Sequence, residues 1–194
     1  MRRKIALLLM IMLLCLPAEQ AGAATDYVQK TVTPEQARAA CNAALEYANH
    51  GVYFKLGGQV TVEAFAANPT PDQGIDASGL VVNVYRSVLG DIRFAAGGGE
   101  KPLLVADVAS SHLFNWNTLS IGLDQLQAGD LLFFKNTAGR ISGVGIFVKR
   151  QGDLVHFVIP SSSKGRVVET FYNIRNEYWQ NQFAGAGRLV YWQR

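Results

Sequence analysis

The chain has 194 residues, 49% of them hydrophobic and 17% charged, and a formal net charge of +3. That length and apolar content are enough for one respectable core. No Lys/Arg-rich run stands out, so nothing points to nucleic acid as a partner, and two cysteines, Cys15 and Cys41, are too few for a disulfide framework.

At the start, Arg2, Arg3 and Lys4 form a basic head, Ile5 to Leu16 an apolar run, and "AGA" a small-residue pattern before Ala24. This predicts a secretory signal peptide over 1–23 and a single domain over 24–194. The apolar run is too short to span a bilayer as a stable helix. No later run is long enough, so no membrane span is expected in the mature chain. Cys15 invites lipidation, but Leu14 before it is large where a small residue is expected. The expected destination lies across the inner membrane, periplasmic or extracellular. Without the leader the net charge is +1 and Cys41 is the one remaining cysteine, so an intramolecular disulfide is impossible. Within "ARAACNAALEYA", Cys41 reads as a small core residue.

Thr33 is a natural N-cap, Pro34 suits the first helical position and Gln36 completes a capping box. Ala40, Ala43, Ala44 and Tyr47 give this helix an apolar face, and Asn49, His50 and Gly51 end it. The next segment carries glycine, proline and Asn/Asp turn formers around one predicted strand at Val60 to Phe65. Asp76 can cap a second helix, in which Leu80, Val81, Val84, Tyr85, Val88 and Leu89 form a 3.6-residue stripe that stops at Gly90. Residues 91–128 carry the weakest pattern. "AAGGGE" reads as a flexible turn, "VADVASSHLFNWNTLS" as helix or loop, and the whole as a surface excursion shaping one side of a groove. From Gly129 onward "GDLLFFK", "VGIFVKR", "LVHFVI", "RVVETFY" and "GRLVYW" read as strands, with "RQGD" as a hairpin loop. Helices first and an antiparallel sheet after them predict an α+β fold.

Six motifs then fall in order: "FKLGG" (54–58), "GIDASGLV" (74–81), "LQAGDLLFF" (126–134), "SGVGIFV" (142–148), "LVHFVIPSSSKG" (154–165) and "YWQNQFAGAGR" (178–188). Their order and spacing resemble the NlpC family of papain-like cysteine peptidases, which trim peptides in the bacterial cell wall. The resemblance implies a papain-like fold and three chemical parts. A cysteine opens a helix, whose N-terminus helps to lower the thiol pKa. A histidine exchanges protons with it, and a third polar residue on the next strand orients the imidazole. The family's cysteine is the second residue of Asp-Cys-Ser-Gly-Leu, and its histidine stands immediately before Val-Gly-Ile. Those positions hold Ala77 and Gly143 here, while the third is retained as His156. The family's tyrosine hydroxyl, three residues before the paired glycines, falls on Phe54, with Tyr53 one residue out of register.

Ser78 is adjacent to Ala77, but neighbouring helical residues point about 100° apart. It therefore reads as a hydrogen-bonding residue of the helix start, and Asp76 as the cap. His50 reads as solvent-facing, and His112 as a possible groove residue. The three histidines have no ligand-like spacing, so neither a metal site nor a cofactor is expected. "SSSKG" reads as a hairpin tip first and a ligand contact second. Arg93, Lys164 and Arg188 are candidates to meet peptide carboxylates, although each reads first as a solvated charge.

The expectation is thus a secreted pseudoenzyme that lacks the catalytic Cys and His. It would bind a peptidoglycan stem peptide or an envelope protein through Tyr53, Phe54, Asp76, Ser78, His112 and His156. The alternatives are an active hydrolase with relocated chemistry on Ser78, Tyr53, His112 or His156, and an engineered inactive form of a cysteine peptidase. A third is a docking module whose apolar patch would use Phe54, Trp116 and Phe134.

Overall fold

The computed structural model describes residues 27–194; the predicted signal peptide and Cys15 lie outside the described residues. The chain folds as β1 (Val28–Thr31), α1 (Pro34–Asn49), β2 (Tyr53–Phe54), α2 (Val62–Ala67), β3 (Gly74–Ile75), α3 (Ala77–Leu89), β4 (Phe94–Ala95), β5 (Leu104–Val105), α4 (Ser110–Trp116), β6 (Thr118–Ile121), β7 (Leu131–Lys135), β8 (Ile141–Gln151), β9 (Leu154–Ser161), β10 (Arg166–Asn173), α5 (Glu177–Gln182) and β11 (Phe183–Gln193). The main sheet runs β1-β11-β7-β8-β9-β10-β2-β3, with β6 also on β11. Its pairings are antiparallel except for β2 with β3. The expected α+β architecture is therefore present. Among the described residues no helix is long and apolar enough to cross a membrane.

The two long helices form where their caps predict. Thr33 Oγ1 accepts from the Gln36 amide at 3.3 Å while Gln36 Oε1 accepts from the Thr33 amide at 2.9 Å, which is the reciprocal capping box. Helices α1 and α3 pack on each other and on one face of the sheet. They bury Ala40, Cys41, Ala44, Leu80, Val81 and Val84 against Phe133, Val144, Ile146 and Val158. The other face carries an aromatic cluster in which Phe134 meets Phe157, Tyr172 and Trp179 at ring separations of 5.4, 6.0 and 5.8 Å. Covered on both faces, β7 buries Leu131, Leu132, Phe133 and Phe134 alike, which is why it reads as an unbroken apolar run.

One expectation is corrected here. The predicted strand at Val60 to Phe65 is largely helix α2, because Thr61 caps it by accepting from the Ala64 amide at 3.2 Å. That cap, with Glu63 in the first turn, outweighs the period-two look of "VTVEAF". In the segment 91–128, "AAGGGE" forms the turn between β4 and β5, and "SSHLFNW" takes the helical alternative as α4, so what the sequence leaves unread is the short strand pair. This β4–β5 pair is anchored by buried Asn117, whose amide donates to Ala95 O (2.9 Å) and His112 O (2.8 Å) while its oxygen accepts from the Ala95 amide (2.7 Å). A side chain thus supplies bonds that a longer ladder would make, and a pattern of strand periodicity has nothing to detect.

Arg188 is not free to meet a ligand. Its Nε and Nη2 donate to the two oxygens of fully buried Asp130, each at 2.9 Å, and Asp130 Oδ2 also accepts from the Gln127 amide at 2.7 Å. This bidentate pair joins the turn before β7 to β11, and the pairing raises the Arg188 pKa. Beside it Gly129, at φ +99°, donates its amide to Phe147 O (2.8 Å) and accepts at its carbonyl from the Tyr85 hydroxyl (2.7 Å). A Cβ on Gly129 would lie 2.0 Å from Ala37 O, so glycine is obligatory there. Arg93 is paired with Asp91, and Lys164 lies exposed on the β9–β10 turn.

Arg188→Met, which strands the buried Asp130 charge, should lower unfolding stability by about 3 kcal/mol, read as a fall in the urea midpoint. A second expectation concerns alkaline pH. Burial raises the pKa of the Cys41 thiol and of the Tyr47, Tyr85 and Tyr172 phenols, that of Tyr172 to about 12. Groups with raised folded values give stability that is full below their unfolded pKa, about 8.5 for a thiol and 10 for a phenol. It is lost as pH rises through the folded values. Denaturation midpoints should thus stay level from pH 7 to about 8.5 and fall beyond, less steeply in Tyr172→Phe.

Candidate functional site

The site is built around the start of α3. Asp76 caps the helix: its Oδ1 accepts from the Gly79 amide at 2.7 Å and the Ser78 hydroxyl at 3.1 Å, and its Oδ2 accepts from the Gly57 amide at 2.9 Å. One carboxylate therefore ties the paired-glycine loop to the helix. The backbone closes further around it, since Gly58 O accepts from the Asp76 amide at 3.1 Å. A Cβ would meet Gly74 O at 2.3 Å from Gly58, and Gly58 O at 2.6 Å from Gly79. These glycines are required by close approach, and together they fix residue 77 in the first turn of α3.

Ala77 faces a cavity of about 430 Å³. One wall is the loop and helix start, with Phe54, Leu56, Asp76 and Ser78. Another is the β8–β9 hairpin, with Ile141, Ser142 and Gly143 facing Ile159, Pro160 and Ser161. The start of α4 supplies Ala109, Ser110 and Ser111, so the excursion before the strands does shape one side of the groove. Ser162, Ser163, Tyr172 and Tyr178 complete it.

The structure thus brings Phe54, Asp76, Ala77, Ser78 and Gly143 together, while Tyr53, His112 and His156 do not line the cavity. Tyr53 is 38% exposed and packs edge-on against Phe65, with ring centroids 5.4 Å apart. His112 stacks on Trp116 at 5.2 Å, and its Nδ1 accepts from the Ala109 amide at 3.4 Å. Phe134, named as a contributor to an exposed apolar patch, is instead buried in the aromatic cluster.

The largest correction concerns His156. It pairs across the strands with Lys149 and Phe171, and Lys149 lies six residues along β8 from Gly143. At 3.4 Å per residue that is about 20 Å. The hairpin turns only at Gly152, at φ +60°, and Ile146 lies opposite Val158. The β9 residues level with Gly143 are consequently Pro160 and Ser161, and counting along the sequence stops short of them. His156 Nε2 is buried without a hydrogen-bond partner, so among the described residues no hydroxyl or thiol is within its reach. Ser161 Oγ, 3.1 Å from Ser163 Oγ, accepts from the Lys164 amide at 3.3 Å, so "SSSKG" both forms the hairpin tip and lines the groove.

Two neighbouring glycines on β8 differ in kind. A Cβ on Gly145 would meet Phe157 Cδ2 at 2.8 Å and Val158 O at 3.2 Å, so packing demands glycine. A Cβ on Gly143 would meet only Phe134 Cβ, at an ordinary 3.7 Å. Nothing in the packing forbids a side chain at the position where the resemblance places an imidazole.

Chemically, the groove offers hydroxyls and aromatic rings around the Ala77 methyl. Cys41 is buried in the core away from it, and among the described residues no His, Cys, Asp and Glu group could hold a metal ion. The sequence marks none of Ser110, Ser111, Ser142, Tyr172 and Tyr178 individually as a site residue, because serine and tyrosine in loops and strand ends carry no diagnostic spacing.

A groove between a capped helix start and a β-hairpin is the layout of a papain-like peptidase fold. The model of the NlpC/P60 family matches residues 51–188, and the chain belongs to this family, which is associated with hydrolysis of cell-wall peptidoglycan. An NlpC/P60 family protein from Bacillus cereus ATCC 10987 shares the fold at a TM-score of 0.50 and 17% identity, over 82% of this chain and 41% of that one. Ly7917, whose structure was determined with the hydrolyzing product of MDP, aligns at a TM-score of 0.49 and 13% identity, over 84% of this chain and 62% of that one. The chain therefore spans less than two thirds of either relative. No curated protein matches it.

Gly143→Ala should change stability by no more than about 0.5 kcal/mol. Gly145→Ala should cost about 1–3 kcal/mol through overpacking. Thermal or urea unfolding of the two variants side by side checks both.

Proposed function

We propose that the chain is a secreted, catalytically inactive NlpC/P60 protein of the bacterial envelope, whose groove holds a cell-wall peptide or a partner protein without cutting it. One observation carries this reading: Ala77 and Gly143, which stand where the family's chemistry needs a thiolate and an imidazole, both face the groove. A methyl group has no lone pair to attack a carbonyl, and a glycine has no side chain to move a proton. Beside them β9 contributes Ile159, Pro160 and Ser161, of which only Ser161 is polar, and its hydroxyl is engaged within the turn.

The parts that shape a groove are retained. The Asp76 cap, the close-packed glycines and the Asp130–Arg188 pair are all in place. Alanine suits the first turn of a helix at least as well as cysteine does, so losing the thiol costs the fold little. Secretion is supported by the leader-like pattern over 1–23.

The test uses the protein without its leader. Incubated with purified sacculi, it should sediment with them and release no soluble peptide, since losing the nucleophile alone costs about a million-fold in turnover. Release of peptide by the unmodified protein would refute the proposal. An Ala77→Cys/Gly143→His variant that gains release would show that the groove still presents a bond for cleavage. Failure to bind sacculi or stem peptides would leave only the partner-protein form.

A further inference from the structure

The cavity at Ala77 has an unusual electrical character. Among its lining residues the only carboxylate is Asp76, and there is no lysine, arginine or histidine. The Asp76 charge is already answered by the Gly57 and Gly79 amides, the Ser78 hydroxyl and the positive end of α3. A phenol carries no charge at neutral pH, and burial raises the Tyr172 pKa further. Arg188, the one arginine in the resemblance motifs, is spent on Asp130, and Lys164, exposed on the β9–β10 turn, is not among the lining residues.

What remains open to a ligand is a set of neutral hydroxyls. Seven serines line the cavity. Ser78, Ser161 and Ser163 bond within the protein. The hydroxyls of Ser110, Ser111, Ser142 and Ser162 have no protein partner among the described residues, and none is sealed from solvent without one. Each can donate one hydrogen bond and accept others, which matches amide N–H and C=O groups equally well. They cannot neutralise an ammonium or a carboxylate. A free charge brought into this groove would lose water and gain no counter-charge, whereas an amide would exchange water for serine hydroxyls nearly evenly.

Building on the wall-peptide reading above, we infer that the groove selects the charge-neutral, amide-linked part of a peptide, such as a cross-linked or amidated stem, over a stem with free charged ends. The serines discriminate by what they lack. The ligand's amino groups are acylated, its carboxyls are amides, and its main chain lies along the α4 start on one side and the β8–β9 hairpin on the other.

The experiment is a calorimetric titration of the leaderless protein with two synthetic stem tripeptides of one sequence. One has free amino and carboxyl groups, and the other is acetylated at every amino group, side-chain amine included, with every carboxyl amidated. The neutral form should bind at least about tenfold more tightly, the size of one unpaired, partly desolvated charge. Ser142→Lys, which puts a cation in the wall, should raise affinity for the free-acid form and narrow the gap. Equal binding of the two forms, or tighter binding of the charged one, overturns the inference while leaving the wall-peptide reading intact. No binding of either form overturns both. A neutral chito-oligosaccharide serves as a further arm, and binding of the sugar without the neutral peptide also overturns the inference.

Discussion

The carboxylate of Asp76 accepts three hydrogen bonds, two from backbone amides and one from a hydroxyl, and the geometry of the groove follows from where those donors must sit. The Gly57 amide belongs to the loop after β2, and the Gly79 amide to the first turn of α3. Satisfying both with one side chain draws the loop onto the helix start. The backbones then come so close that Gly58, Gly74 and Gly79 leave no room for a Cβ. Residue 77 is thereby held at a fixed point on the groove wall whatever its side chain is. The mounting and the reagent are separable, and an alanine can occupy the mounting without disturbing it.

The same separation runs through the strands. Gly145 and Gly129 are filled around by neighbouring atoms and could not be replaced without movement, whereas a Cβ on Gly143 would make one ordinary contact. The Asp130–Arg188 pair fixes the turn before β7 to β11, behind the groove rather than in it. Positions that carry architecture keep residues of narrow choice.

Much of this architecture was legible in the sequence because it rests on local signals. The Thr33–Gln36 capping box, the Asp76 cap and the apolar stripes of α1 and α3 are each written within a few residues of the structure they make. So is the Gly152 hairpin. At residues 60–65 the conflict is itself local: the turn formers on either side suggest a strand, and the Thr61 cap is the stronger signal. Elsewhere the differences depend on distant partners. Arg188 was weighed as a surface charge because its partner, Asp130, lies 58 residues away in the chain. The family resemblance implies the third position for His156, but only the register of β8 against β9 shows that the strands run on past it. The serines around the groove come from four separate segments, and no one of them is distinctive.

The outermost strand adds a point about assembly in time. Residues Val28–Thr31 lie beside Val190–Gln193, so the first described strand is stitched to the last. Closing so long a loop is entropically slow compared with forming the β7–β10 meander, whose neighbours are consecutive. The sheet can nucleate from its middle and acquire this border last. Strand β1 supplies none of the residues around the hollow beside Ala77, so slow docking of that rim would delay closure of the sheet without reshaping the hollow.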